Sequence, residues 1–256
     1  MIVRPSPEGL WLFTQSAHAL LAFQMAEHWG NRTTPRPAPR AEVLAAVLLH
    51  DAGWDARDSE PRVLSDGSLA HFARWPEEGE REQLWEDSLA AARRRARYVE
   101  YLVGHHILHL AETYSASRHA PFVQALQQRL AELAEELHRQ TRYRQVFATG
   151  QDATNRGIIR TVDALALRLC LSPPHSWTLE GVPTRTGLQP LRVKKLAPNT
   201  FHLSPWPFVG NQLSLWVEGR CLPIRLPASA EELRHHWRQA PVQVLRFHLR
   251  RGGVAI

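Results

Sequence analysis

The spacing of apolar and polar residues predicts a helical stretch followed by a β-rich one. Residues 1–13 read as a short strand, a turn marked by Pro5, Pro7 and Gly9, and a second strand from Leu10 to Phe13. Thr14 suits the N-cap of a helix that runs to Trp29 and stops at Gly30-Asn31. Within it His18, Leu21, Ala22 and Met25 recur at helical spacing. Residues 33–39, with three prolines, form a loop. A second helix spans Ala41 to about Asp51 and ends at Gly53, with Leu44, Val47, Leu48 and Asp51 along one face. Residues 55–78 read as a long irregular excursion. Helices follow over Glu80–Arg95 and Tyr98–Tyr114, from near Pro121 to Arg139, and over Gln151–Leu171, where Pro173-Pro174 ends the series. The last carries Ile159, Val162, Ala166 and Leu169 on a stripe that includes Asp163.

Beyond residue 174 the pattern changes. This part holds 8 of the 18 prolines. Short β-like runs alternate with turns: Leu191–Leu196, Thr200–Leu203, Gln212–Val217, Cys221–Leu226 and Val242–Leu249. Ser229 with Glu232 makes a capping box for one short helix through Trp237. The expected division is a helical unit over 1–172 and a β-rich module over 175–256. The N-terminal strands have no other evident partner than this module.

Composition adds little but removes some classes. Hydrophobic residues make up 44% and charged residues 22%, as in a folded protein. The net charge of +6 would suit nucleic acid. However, the arginines are dispersed and many have acidic neighbours, as in Glu80-Arg81-Glu82, so nucleic acid is not expected as a partner. No uncharged apolar stretch is long enough to span a membrane, and the N-terminus lacks the apolar core of a signal peptide. Two cysteines, Cys170 and Cys221, suggest neither a disulfide framework nor a cysteine metal site. A cytoplasmic protein is expected, with oligomerisation left open.

The chemistry lies on the apolar helix faces. Ionised carboxylates are costly in an apolar interior unless paired or bound to a cation. Asp51 and Asp163 therefore point to a metal site with His18 and His50, a mixed nitrogen and oxygen set suited to Fe, Mn, Zn, Co or Ni. The plain alternatives are a hydrogen-bonded core histidine for His18 and a salt bridge to Arg160 or Arg168 for Asp163. His at a helix C-terminus is unremarkable for His50, whereas Asp51 is unfavourable there.

In this order the residues resemble the HD superfamily of metal-dependent phosphohydrolases. A closer likeness is to a bacterial family of unknown function, DUF3891. It rests on Met1-Ile2-Val3-Arg4, Gln15-Ser16-Ala17-His18, His50-Asp51-Ala52-Gly53-Trp54, Leu102-Val103-Gly104-His105-His106, residues 163–170 and Ser204-Pro205-Trp206-Pro207-Phe208. The resemblance implies a mainly α fold: an HD-type helical bundle core with a small β-rich C-terminal module, α+β overall. It also implies one or two divalent ions. His106, or His105 with His109, or His71 in the long loop, would serve a second metal.

The expected activity is hydrolysis of a phosphate ester of a nucleotide or another small phosphorylated compound, with Asp51 both binding metal and positioning the nucleophile and a nearby histidine, His106, protonating the leaving group. Arg57, Arg62 and Arg118 are candidate phosphate clamps, against the alternative of ordinary surface arginines. Gln15, Trp54 and Asp55 are candidate pocket residues, and Trp206-Pro207-Phe208 is either a roof over the site or core of the β module. Two further readings stay open: an HD-type di-iron oxygenase using six ligands, and a non-catalytic metal-binding or interaction protein.

Overall fold

The computed structural model describes residues 1–74, 79–115, 119–222 and 229–252. Strands β1 (Ile2–Ser6) and β2 (Gly9–Phe13) form a hairpin that leads into helix α1 (Gln15–Glu27). Next come α2 (Arg40–Leu49), a short 3-10 turn over Ala52–Trp54, α3 (Asp55–Asp58), α4 (Glu80–Arg93) and α5 (Arg97–Ser115). Helices α6 (Ala120–Arg139), α7 (Thr141–Ala148) and α8 (Gln151–Cys170) complete the helical part. Strands β3 (Ser176–Thr184), β4 (Gly187–Ala197), β5 (Thr200–Ser204) and β6 (Gln212–Leu222) follow, then α9 (Ala230–Gln239) and β7 (Val242–Arg251).

The strands form one seven-stranded mixed sheet in the order β1-β2-β6-β7-β5-β4-β3. All its pairs are antiparallel except β5 with β7. The mainly α expectation is therefore wrong: the chain is α+β, and its sheet is a principal layer with the N-terminal hairpin built into it. Three features hid this sheet. The turn-like Gly219 lies inside β6, where a Cβ would come within 2.7 Å of the Phe13 ring, so the glycine makes room for β2. Two expected short runs thus join into one strand of 11 residues, the end of the second (223–226) lying outside the described residues. In addition, Gly181 and Pro183 masked β3, which is bulged between Leu179 and Val182.

Helices and sheet share the main core. Leu21 and Met25 of α1, Val162 and Leu169 of α8, Leu215 of β6 and Phe247 of β7 are all buried in one cluster. Gln24 pins α1 to the sheet. Its amide donates to the Trp216 carbonyl (2.8 Å) and accepts from the Trp216 N–H (3.1 Å), completing the edge of β6 that β2 leaves unpaired. Asn155 of α8, fully buried, holds the loop before α2: it binds both backbone groups of Ala38 and accepts from Gln151, and it lies 2.8 Å from the Tyr98 hydroxyl. Phe208 is buried between Trp29 and Trp206, and all three belong to this core. No helix among the described residues is long and apolar enough to cross a membrane.

Candidate metal centre

Three chain segments converge on one point. Thr14 caps α1, its hydroxyl accepting from the Ala17 N–H (3.1 Å), and the register of α1 then buries His18. Helix α8 contributes Asp163 from its buried stripe. Helix α2 ends at Leu49, so His50 and Asp51 lie in the turn between it and the 3-10 segment. That break resolves the geometric problem of two adjacent side chains, which would diverge by about 100° on a continuous helix. The turn sits tight on α4. A Cβ on Gly53 would lie 2.0 Å from the Leu84 carbonyl oxygen, and the Gly53 N–H donates to Ser88 Oγ (2.9 Å).

His18 Nε2 lies 2.8 Å from Asp163 Oδ1. His50 Nε2 lies 3.3 Å from Asp51 Oδ2 and 3.4 Å from Asp163 Oδ1. His106 Nε2 approaches Asp163 Oδ2 at 3.6 Å. Ligand atoms of His18, His50 and Asp163 all fall within 4.8 Å of one another, a spread that one cation can bridge.

Hydrogen bonding in the site suits a metal. His50 Nδ1 donates to the Val47 carbonyl (2.6 Å), which leaves the Nε2 lone pair facing the carboxylates. Among the described residues, eight buried side-chain polar atoms lack a hydrogen bond. Four of them belong to the histidines of this group: His18 Nδ1, His50 Nε2 and both nitrogens of His106. Such orphans are unfavourable in a finished core, and their concentration here marks a place that awaits a partner. A buried set of two histidines and an aspartate can hold a metal ion.

Without a cation, charges within the group compensate one another. Burial opposes protonation of His50, yet the carboxylates of Asp51 and Asp163 outweigh it and hold its pKa well above the ordinary value. Burial likewise opposes ionisation of Asp163, but His18 and His50 keep its pKa well below the usual carboxylate range. Asp51 is lowered too, since His50 overcomes its burial. His106 is pushed down to about 4, mainly by burial, and is neutral at neutral pH.

A family model described as "Protein of unknown function (DUF3891)" matches residues 1–224. The chain belongs to the DUF3891 family. No curated protein and no solved structure matches it. Nothing in these comparisons connects this DUF3891 protein to the HD superfamily.

The DUF3891 fold sorts the remaining candidates. His106 joins the group, whereas His105 packs on Tyr101 and Arg156. His109 is exposed on α5, and His71 rests on Phe72 in the loop after α3. Periodicity could not choose among the α5 histidines. Tyr98, Tyr101, Leu102, Val103, Ile107 and Ala111 are all buried, so the helix has core contacts on most sides. Arg57 pairs with Glu80 (3.0 Å), Arg62 is exposed, and Arg118 lies outside the described residues. Asp163 meets histidines, with no ion pair to Arg160 or Arg168 among the described residues.

Asp58 was not foreseen. It is buried, accepts from the Gln15 N–H (2.5 Å) and pairs with the Met1 ammonium (2.5 Å), and so anchors the start of α1. Arg81 was also missed, although its half-buried guanidinium is near enough to Asp51 to feel its charge. Its acidic neighbours in sequence disguised it as a surface residue.

Proposed function

We propose that this DUF3891 protein is a metal-dependent hydrolase of phosphate esters, acting on a nucleotide or another small phosphorylated compound. The observation that carries the reading is the convergence of His18, His50 and Asp163, with Asp51 and His106 against them and buried unsatisfied nitrogens on all three histidines. The order of His18, His50-Asp51 and Asp163 along the chain, which resembles that of HD phosphohydrolases, supports phosphate chemistry over other metal-assisted reactions.

His18, His50 and Asp163 would hold the ion, with Asp51 beside His50 as a further donor. A bound divalent metal supplies a Lewis acid for the phosphoryl oxygen and lowers the pKa of water toward ~7. Asp51 orients the attacking water through its carboxylate. His106, neutral because it is buried, serves as ligand or base rather than as acid. His50 is held in orientation by the Val47 carbonyl.

The test is elemental analysis of chelator-stripped protein reloaded with Mn, Fe, Co, Ni or Zn, followed by phosphate release from p-nitrophenyl phosphate and nucleotides. The expected result is a stoichiometric transition metal and metal-dependent turnover, both lost in His50→Ala. Protein that takes up none of these ions refutes the reading. A second reading, a di-iron oxygenase, draws support from His106 beside Asp163, which offers a donor for a second ion. Two irons per chain and an absorption change with O₂ would favour it, and a single metal per chain would dismiss it.

A further inference from the structure

We propose that Arg156 and Arg160 of α8, with His105 and His109 of α5, form a binding site for a phosphate-type oxyanion beside the metal centre. Assigning that oxyanion to the substrate rests on the hydrolase reading; the binding itself does not.

Arg156 and Arg160 stand one turn apart, so their side chains neighbour each other on α8. Arg156 is partly committed: Nη2 donates to Asp152 Oδ2 (2.9 Å), and Nη1 lies 3.4 Å from His105 Nδ1. Its Nε is buried and unpartnered. Arg160 is half-buried, yet it makes no hydrogen bond or ion pair with a described residue. Burial and then the like charge of Arg156 lower its pKa. Two neighbouring cations partly withdrawn from water, with the Asp152 carboxylate paired to Arg156 alone, are unfavourable as they stand.

Arg156 reaches His105 on α5, and His106, the next residue, approaches Asp163 Oδ2 at 3.6 Å, so the cluster lies beside the metal centre's own carboxylate. His109 and Arg160 each stand one turn further along their helices, near enough for the arginine's charge to reach the imidazole. An imidazole offers an N–H donor in either protonation state, and guanidinium forks match the geometry of a tetrahedral oxyanion. One anion would relieve the repulsion and occupy the free donors together. The same positive field opposes a second cation at His105 and His109.

The probe is inorganic phosphate, titrated calorimetrically into chelator-stripped protein at matched ionic strength in potassium chloride. Wild-type protein should bind phosphate, and Arg160→Gln should weaken it at least about tenfold, as loss of charge-assisted hydrogen bonds implies. Arg160→Lys, which keeps the charge but not the fork, should fall between. Metal uptake should stay at the wild-type level in both. His50→Ala should do the reverse, losing metal and keeping phosphate. A melting temperature taken without phosphate checks each fold, and a poorly folded Arg160→Gln leaves the comparison to Arg160→Lys. No phosphate binding by the wild type, or equal binding by a folded Arg160 variant, overturns the proposal. Phosphate binding through Arg160 in a protein that takes up no metal would sink the hydrolase reading alone.

Discussion

Replacing Asp163 with asparagine removes the charge around which the centre is arranged while keeping its size. At 3.4 Å from His50 Nε2 the pair attraction is about 5 kcal/mol for an effective dielectric of about 20. Most of this is offset in metal-free protein, because His50 can release its proton and still has Asp51 at 3.3 Å. A net loss of about 1–2 kcal/mol should remain, which lowers the melting temperature of a chain this size by about 3–6 °C. The metal-dependent part is larger. An ion present at about 100 times its dissociation constant adds about 2.7 kcal/mol to the wild type, or about 5–10 °C, and should add nothing to Asp163→Asn. Paired melting curves with and without Mn or Zn measure both terms, and elemental analysis reports occupancy. A variant that keeps the wild-type metal content and metal-induced shift would show that Asp163 is not a ligand and that its histidine contacts serve packing only.

Other consequences follow from the same geometry. In metal-free protein, His105 and His106 have folded pKa values depressed to about 4, so stability should fall as pH drops from about 6.5 toward 4, by about 1.4 kcal/mol per unit for each. His50 has a raised pKa, so its contribution is complete below about 6.5 and is lost as pH climbs through the folded value. Stability measured by urea titration should therefore peak between these limits, and a flat profile would contradict the charge assignments. Gly53→Ala would drive a Cβ onto the Leu84 carbonyl, so a loss of about 1–3 kcal/mol with reduced metal uptake is expected in melting and elemental analysis. Asn155→Leu strands both backbone groups of Ala38 and should lower the unfolding free energy by about 3–5 kcal/mol in denaturant titration, without touching the ligands.

Much of the centre was legible beforehand because it depended on residue type and local register. Asp51 and Asp163 stood out as carboxylates among apolar positions, and Thr14 and Ser229 announced their helix starts through caps that the structure contains. The short helix α7 and the strand β3 were not recognised, the first for want of a clear apolar face in eight residues, the second because of its glycine and proline.

Sequence alone determined the locally encoded features: the positions of most helices, the candidate ligands and the affinity of the N-terminal hairpin for the β-rich end. A helix closes its hydrogen bonds within four residues, so its period is written in consecutive positions. Only the tertiary structure decided the order of seven strands, the inclusion of Gly219 within one of them, the choice of His106 over its neighbours and the meeting of Arg156 and Arg160 with α5. Those outcomes depend on partners far apart in the chain, where sheet pairing and helix rotation are set by how the whole core packs.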